Sequence, residues 1–200
     1  MAISLSKGQK ISLKKNTQRA GLGEILINLN WNSEIQGNTD GFSEGNAGID
    51  LDLGCLYELT NGRKGAVQAL GNAFGTLTSP PYISLDGDDR TGDSEDGENL
   101  RINGDKISEI NRILVYTFIY EGVANWQQAD ATVTIKYPGA EDIIVKMDTY
   151  NSSHIMCGLA LFQNINNETF SVEKIVQFYQ GHEALDRAFG WGMKWKPGKK

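Results

Sequence analysis

Seven carboxylates crowd the thirteen residues from Asp86 to Glu98, with Arg90 as the one cation among them. Asp86, Asp88, Asp89, Asp93, Glu95, Asp96 and Glu98 could be buried together only at a large desolvation cost, so this stretch has to be a surface connection. Gly87, Gly92 and Gly97 joint it and argue against one regular element running through it. Its flanks differ: Ile83-Ser84-Leu85 leads in and Leu100 and Ile102 lead out, with the period of two that marks half-buried strands. The fold must therefore carry an acidic loop between two strands.

The same short period recurs along the chain. Ile3, Leu5, Ile11 and Leu13 alternate with polar residues on either side of Lys7-Gly8, the pattern of two strands in a hairpin. Ile25 to Trp31 reads as another strand, followed by a polar, glycine-rich loop from Asn32 to Gly48. Ile49 to Leu59 ends at Thr60-Asn61-Gly62, and Asn-Gly between apolar runs predicts a hairpin with both turn positions at positive φ and a return strand over Ala66 to Leu70. Arg112 to Tyr120 has the apolar character of a central strand. Ala131 to Ile135 and Ile143 to Met147 pair across Pro138-Gly139, and Ile155 to Phe162 is a buried strand. One short helix, His182 to Phe189, stops at Gly190. With 23 glycines against 4 prolines, turns are frequent. The expected architecture is all-β with minor α: a β-sandwich of two packed antiparallel sheets with one short C-terminal helix, a single domain over residues 1–200.

Charge narrows the partners. The net charge of −6 hides a centre, residues 25–189, with 10 cations against 24 acids. Such a centre repels phosphates, so no nucleic acid is expected to bind through the core. The first sixteen residues hold no apolar signal region, and no apolar run approaches the roughly 18 residues of a membrane span, so a soluble, cytoplasmic chain is expected. Cys55 and Cys157 lack metal spacing and read as free core thiols.

The acidic loop offers oxygen donors without His or Cys, a set that selects hard cations, and its irregular spacing suits Ca²⁺ better than the octahedral Mg²⁺. It is not an EF-hand, since a start at Asp86 places Thr91 where glycine is required. On spacing alone a solvated acidic turn accounts for the run equally well. Asp50 and Asp52 shift the balance, because they share one face of a strand whose other face is apolar, and like charges there need a counterion.

Taken together, Ile3-Ser4-Leu5-Ser6-Lys7-Gly8, Asp50-Leu51-Asp52, Gly87-Asp88-Asp89-Arg90-Thr91-Gly92-Asp93, Phe178-Tyr179-Gln180-Gly181-His182 and Asp186-Arg187-Ala188-Phe189-Gly190-Trp191-Gly192 resemble the succession of motifs in the TerD family of tellurite-resistance and stress proteins. The resemblance implies a non-enzymatic β-sandwich that binds two calcium ions between the loop and the Asp-Leu-Asp strand. The expected function is a calcium-binding stress module that acts through other stress-response proteins, with peripheral association at the inner membrane surface. Carried over by position, the metal ligands would be Asp50, Asp52, Asp88, Asp89, Asp93, Glu95 and Glu98, with Thr91 and Gly92 giving backbone carbonyls. Asp89 stands where the family has Asn, Ser94 where it has Gly, and the acidic ending is one residue short, so that either Asn99 compensates or one ion is bound weakly.

Other readings are weaker. Gly41-Phe42-Ser43-Glu44-Gly45 matches a nucleophile elbow but lacks the strand-to-helix context that motif needs. His154-x-x-Cys157 reads as part of a buried strand. Trp31, Trp126, Trp191 and Trp195 read mostly as core or interface packing, with Trp191 and Trp195 as alternative contact residues where the glycine-rich tail would leave them partly exposed, and the basic tail itself reads as a solvated terminus. A calcium-dependent carbohydrate-binding or hydrolytic sandwich is the alternative function.

Overall fold

The computed structural model describes residues 2–15, 21–32, 49–87, 97–121, 125–151 and 153–198. In chain order the strands are β1 (Ile3–Ser4), β2 (Lys10–Ser12), β3 (Glu24–Asn30), β4 (Asp50–Leu59), β5 (Lys64–Val67), β6 (Gly75–Thr76), β7 (Ile83–Leu85), β8 (Glu98–Asn103) and β9 (Ile110–Glu121). After the short helix α1 (Trp126–Ala129) come β10 (Thr132–Lys136), β11 (Ile143–Lys146), β12 (Met156–Ile165), β13 (Thr169–Tyr179) and the helix α2 (His182–Phe189). One sheet has the order β1-β11-β10-β3-β8-β7-β6 and the other β2-β13-β12-β9-β4-β5. The expected sandwich is therefore the observed one. Among the described residues no helix is long and apolar enough to cross a membrane.

Alternation explains the layers. Ile25, Ile27 and Leu29 of β3 meet Leu51, Leu53 and Cys55 of β4 in one core between the sheets. β9 lies between β12 and β4 and is apolar on both sides. Ile113, Val115 and Ile119 enter the central core, while Leu114, Tyr116 and Phe118 join a second cluster with Leu185 of α2 and Trp191. The outer face of the second sheet is thus covered by α2 and the residues after it.

Several expectations need correction. The first two strands do not form a hairpin: β1 pairs parallel to β11 and β2 antiparallel to β13, so the chain crosses between sheets at the Ser6-to-Gln9 turn. Leu5 and Leu13 are buried either way, and a period of two cannot distinguish a hairpin from a crossing. The β4–β5 connection, Thr60 to Arg63, is closed by Leu59 N–H donating to the Arg63 carbonyl, and there Gly62 alone has positive φ (84°), so Asn61 needs no left-handed backbone. β5 ends at Val67, short of the expected Leu70, which begins a 3₁₀ turn. β13, absent from the expectations, follows Asn166 and Asn167, both at positive φ as asparagine tolerates. Helix α2 lies where expected.

Candidate metal centre

β4 outlasts its neighbour. β5 pairs with it from Glu58 back to Cys55, which leaves the Asp50–Leu53 edge beyond the reach of that strand. Glu98, the first residue of β8 in the facing sheet, reaches this edge, and its Oε2 accepts the Leu53 N–H at 2.5 Å. Asp50 and Asp52 alternate with the core residues Leu51 and Leu53 and so lie on the outer side of β4. The three carboxylates are nearly inaccessible, at 7% for Asp50, 0% for Asp52 and 2% for Glu98. Each buried carboxylate costs several kcal/mol unless hydrogen bonds or a cation offset it.

This donor set is all oxygen, as a hard divalent cation prefers. Among the described residues no three such groups lie close enough to hold an ion alone, so a complete centre would draw on the loop. Asp88, Asp89, Thr91, Gly92, Asp93 and Glu95 lie outside the described residues, as does Ser43.

Both ends of the loop are fixed. Leu85 pairs with Leu100, and Asp86 N–H donates to the Asn99 carbonyl at 3.0 Å. Arg101 Nε donates to both oxygens of Asp86 at 2.7 Å, and its Nη1 donates to Glu24. These hydrogen bonds hold the Arg101 guanidinium above its usual range and tie Asp86 to the root of the loop. At the other end Gly97 has φ 61°, and a Cβ there would stand 2.1 Å from the Leu29 carbonyl oxygen, so no other residue fits. Asn99 Oδ1 accepts from Asn28 Nδ2 at 3.0 Å, and alternation turns Asn99 to the side of β8 opposite Glu98 and Leu100.

Behind Asp52 lies a polar network that sequence reading missed. Asp52 stands opposite Phe118, and Gly54 opposite Tyr116, whose ring lies 2.7 Å from where a Gly54 Cβ would be. Tyr116 O–H donates to Gln68 Oε1 at 2.6 Å, and the same oxygen lies 2.9 Å from His182 Nε2. An amide oxygen only accepts, so His182 carries its proton on Nε2. Burial pushes the Tyr116 hydroxyl up, with the charges of Cys55 and Asp52 adding to it. Burial pushes His182 down to about 4. Gln68 follows β5 directly, and nothing in its sequence marks it.

The tail is not a solvated terminus. Trp191 is 1% exposed; its indole donates to the Tyr57 carbonyl, and the Arg112 guanidinium lies 3.8 Å from its ring centroid. Trp195 is half-buried and donates to Asp186. Both aromatics cover the sheet, because Leu114 and Tyr116 leave an apolar outer face that needs a cover. His154 precedes β12 and is neither in a strand nor fully buried. Cys55 and Cys157 are free, buried thiols, Cys55 pushed up by burial to about 12 and Cys157 higher still.

Comparison with known proteins agrees with the resemblance. The TerD domain family model matches residues 1–137. The chain is 45% identical over 201 residues to a tellurium resistance protein TerA of Alcaligenes sp, covering 99% of this chain and 58% of that protein. It is 35% identical over 135 residues to stress response protein SCP2 of Bacillus subtilis (strain 168), covering 64% of this chain and 65% of the relative. The chain thus spans less than two thirds of these relatives. In fold it is similar to a solved homologue of telluride resistance protein (TerD) from Streptomyces coelicolor A3(2), at TM-score 0.55 and 17% identity, covering 83% of this chain and 95% of that one. Through the family model and these relatives, the chain belongs to the TerD family of tellurium-resistance and stress-response proteins.

Proposed function

We propose that this chain is a calcium-binding, non-enzymatic stress-response module, one domain over residues 1–200, which works in the cytoplasm through protein partners at the inner membrane surface. The observation that carries the reading is that three carboxylates, Asp50 and Asp52 of one sheet and Glu98 of the other, are nearly inaccessible to solvent near the root of an acidic loop. Asp88, Asp89, Asp93 and Glu95, with the Thr91 and Gly92 carbonyls, complete a donor set large enough for two ions. When bound, calcium would supply positive charge among these carboxylates. The loop can then pack against the β4 edge, and a partner reads the difference between open and packed loop. So many carboxylates leave few coordination positions open to a substrate, which supports a structural role over a Lewis-acid one.

The test is recovery of protein partners from lysate by wild type and by Asp88→Asn/Asp93→Asn, each with calcium and with chelator. Recovery that depends on calcium in wild type alone is expected. Equal recovery in all four conditions contradicts the reading.

A further inference from the structure

A cavity of about 500 Å³ opens on the outer face of the second sheet. Its lining includes Gln68, His182, Glu183, Arg187, Trp195 and Lys196. That volume is in the range of small-molecule sites. We propose that it is a second ligand site, one that takes a small organic anion carrying a flat ring, such as an aromatic carboxylate or a nucleoside monophosphate.

Three observations carry this. The walls are locked before any ligand arrives. Trp195 Nε1–H donates to Asp186 Oδ2 at 2.9 Å, and the same carboxylate accepts the Gly192 and Met193 N–H groups at 2.6 and 3.0 Å. His182 is held by Gln68 and by the rings of Tyr116 and Phe118, at centroid distances of 5.4 and 5.1 Å. A site set in advance pays less ordering entropy on binding.

The second observation is the aromatic wall. The Trp195 and His182 rings, with centroids 5.0 Å apart and tilted 45° to one another, both line the cavity and offer a planar guest a ring face to stack on. The third is charge. Arg187 and Lys196 both line the cavity, against Glu183 alone, in a chain whose net charge is −6. Neither cation is engaged in an ion pair among the described residues, so both are free to meet an anion.

The test follows the Trp195 indole N–H resonance, assigned with Trp195→Phe, during titration with benzoate, benzamide, AMP and adenosine. At least one anion should move the resonance at millimolar concentration and bind about tenfold more tightly than its neutral counterpart. Benzoate responding without AMP marks a carboxylate site, and AMP without benzoate a nucleotide site. Arg187→Gln/Lys196→Gln should weaken binding about tenfold, and Glu183→Gln should strengthen it. All three side chains are solvent-exposed, and the melting temperature of each variant checks the fold. The proposal is overturned if neither anion moves the resonance, if neutral and charged probes bind alike, or if the double substitution leaves binding unchanged.

Discussion

His182 sits among Tyr116, Phe118 and Trp195, where an imidazolium would lose its hydration, so the folded protein favours the neutral ring. Its pKa falls from 6.5 to about 4. Between these values the unfolded chain binds the proton more readily, so stability is complete above pH 6.5 and is lost as pH drops toward 4. The loss by pH 4 is on the order of 2–3 kcal/mol. Denaturant unfolding of wild type and His182→Gln from pH 7.5 to 4 should show the wild type losing that much more than the variant; parallel pH curves would contradict it. Two acid contributions fall in a lower window. The Lys174 hydrogen bond holds Asp148 below the usual carboxylate range. Burial pushes Glu58 up, but hydrogen bonding and charge from Arg112, with Lys64, outweigh it and bring it below that range. Both contributions fade only as pH falls through the carboxylate range.

Among elements, the tail after α2 shows most clearly where local chemistry becomes structure. Gly190 at positive φ ends the helix, and Asp186, 4% exposed, gathers the N–H groups of Gly192, Met193 and Trp195. Asp186→Ala leaves three donors without their acceptor and should cost about 2–4 kcal/mol. The same change should make the chain after Gly190 sensitive to limited proteolysis at temperatures where wild type resists, and unchanged cleavage would refute the clamp. The helix was legible because its amphipathic run ends at a glycine. The tail was not, because a tryptophan in a glycine-rich basic segment looks exposed until the outer face of β9 shows what it covers. Similarly, Asp50 and Asp52 were legible through strand alternation, whereas Gln68 acquires its role only through Tyr116 and His182, 48 and 114 residues away. The position of the acidic loop followed from its strand flanks, while the crossing of β1 and β2 between sheets did not, because both topologies bury the same leucines.

At the scale of the whole molecule, the two sheets meet in one apolar core, and the Glu98–Leu53 hydrogen bond links them at the root of the loop. A cation bound there by residues of β4, β8 and the connecting loop would favour the folded state by linkage, since the unfolded chain scatters those ligands along 49 residues. At a calcium concentration 100 times the dissociation constant the gain is about 2.7 kcal/mol. For a chain of this length that corresponds to roughly 5–10 °C in melting temperature. The most direct test is thermal unfolding of wild type, Asp52→Asn and Asp88→Asn, from chelator through millimolar calcium. The account predicts that the wild-type midpoint climbs with calcium and falls with chelator, and that both variants lose most of the climb to a similar degree, because strand and loop hold the same ions. A wild-type midpoint that stays fixed across that range would contradict it.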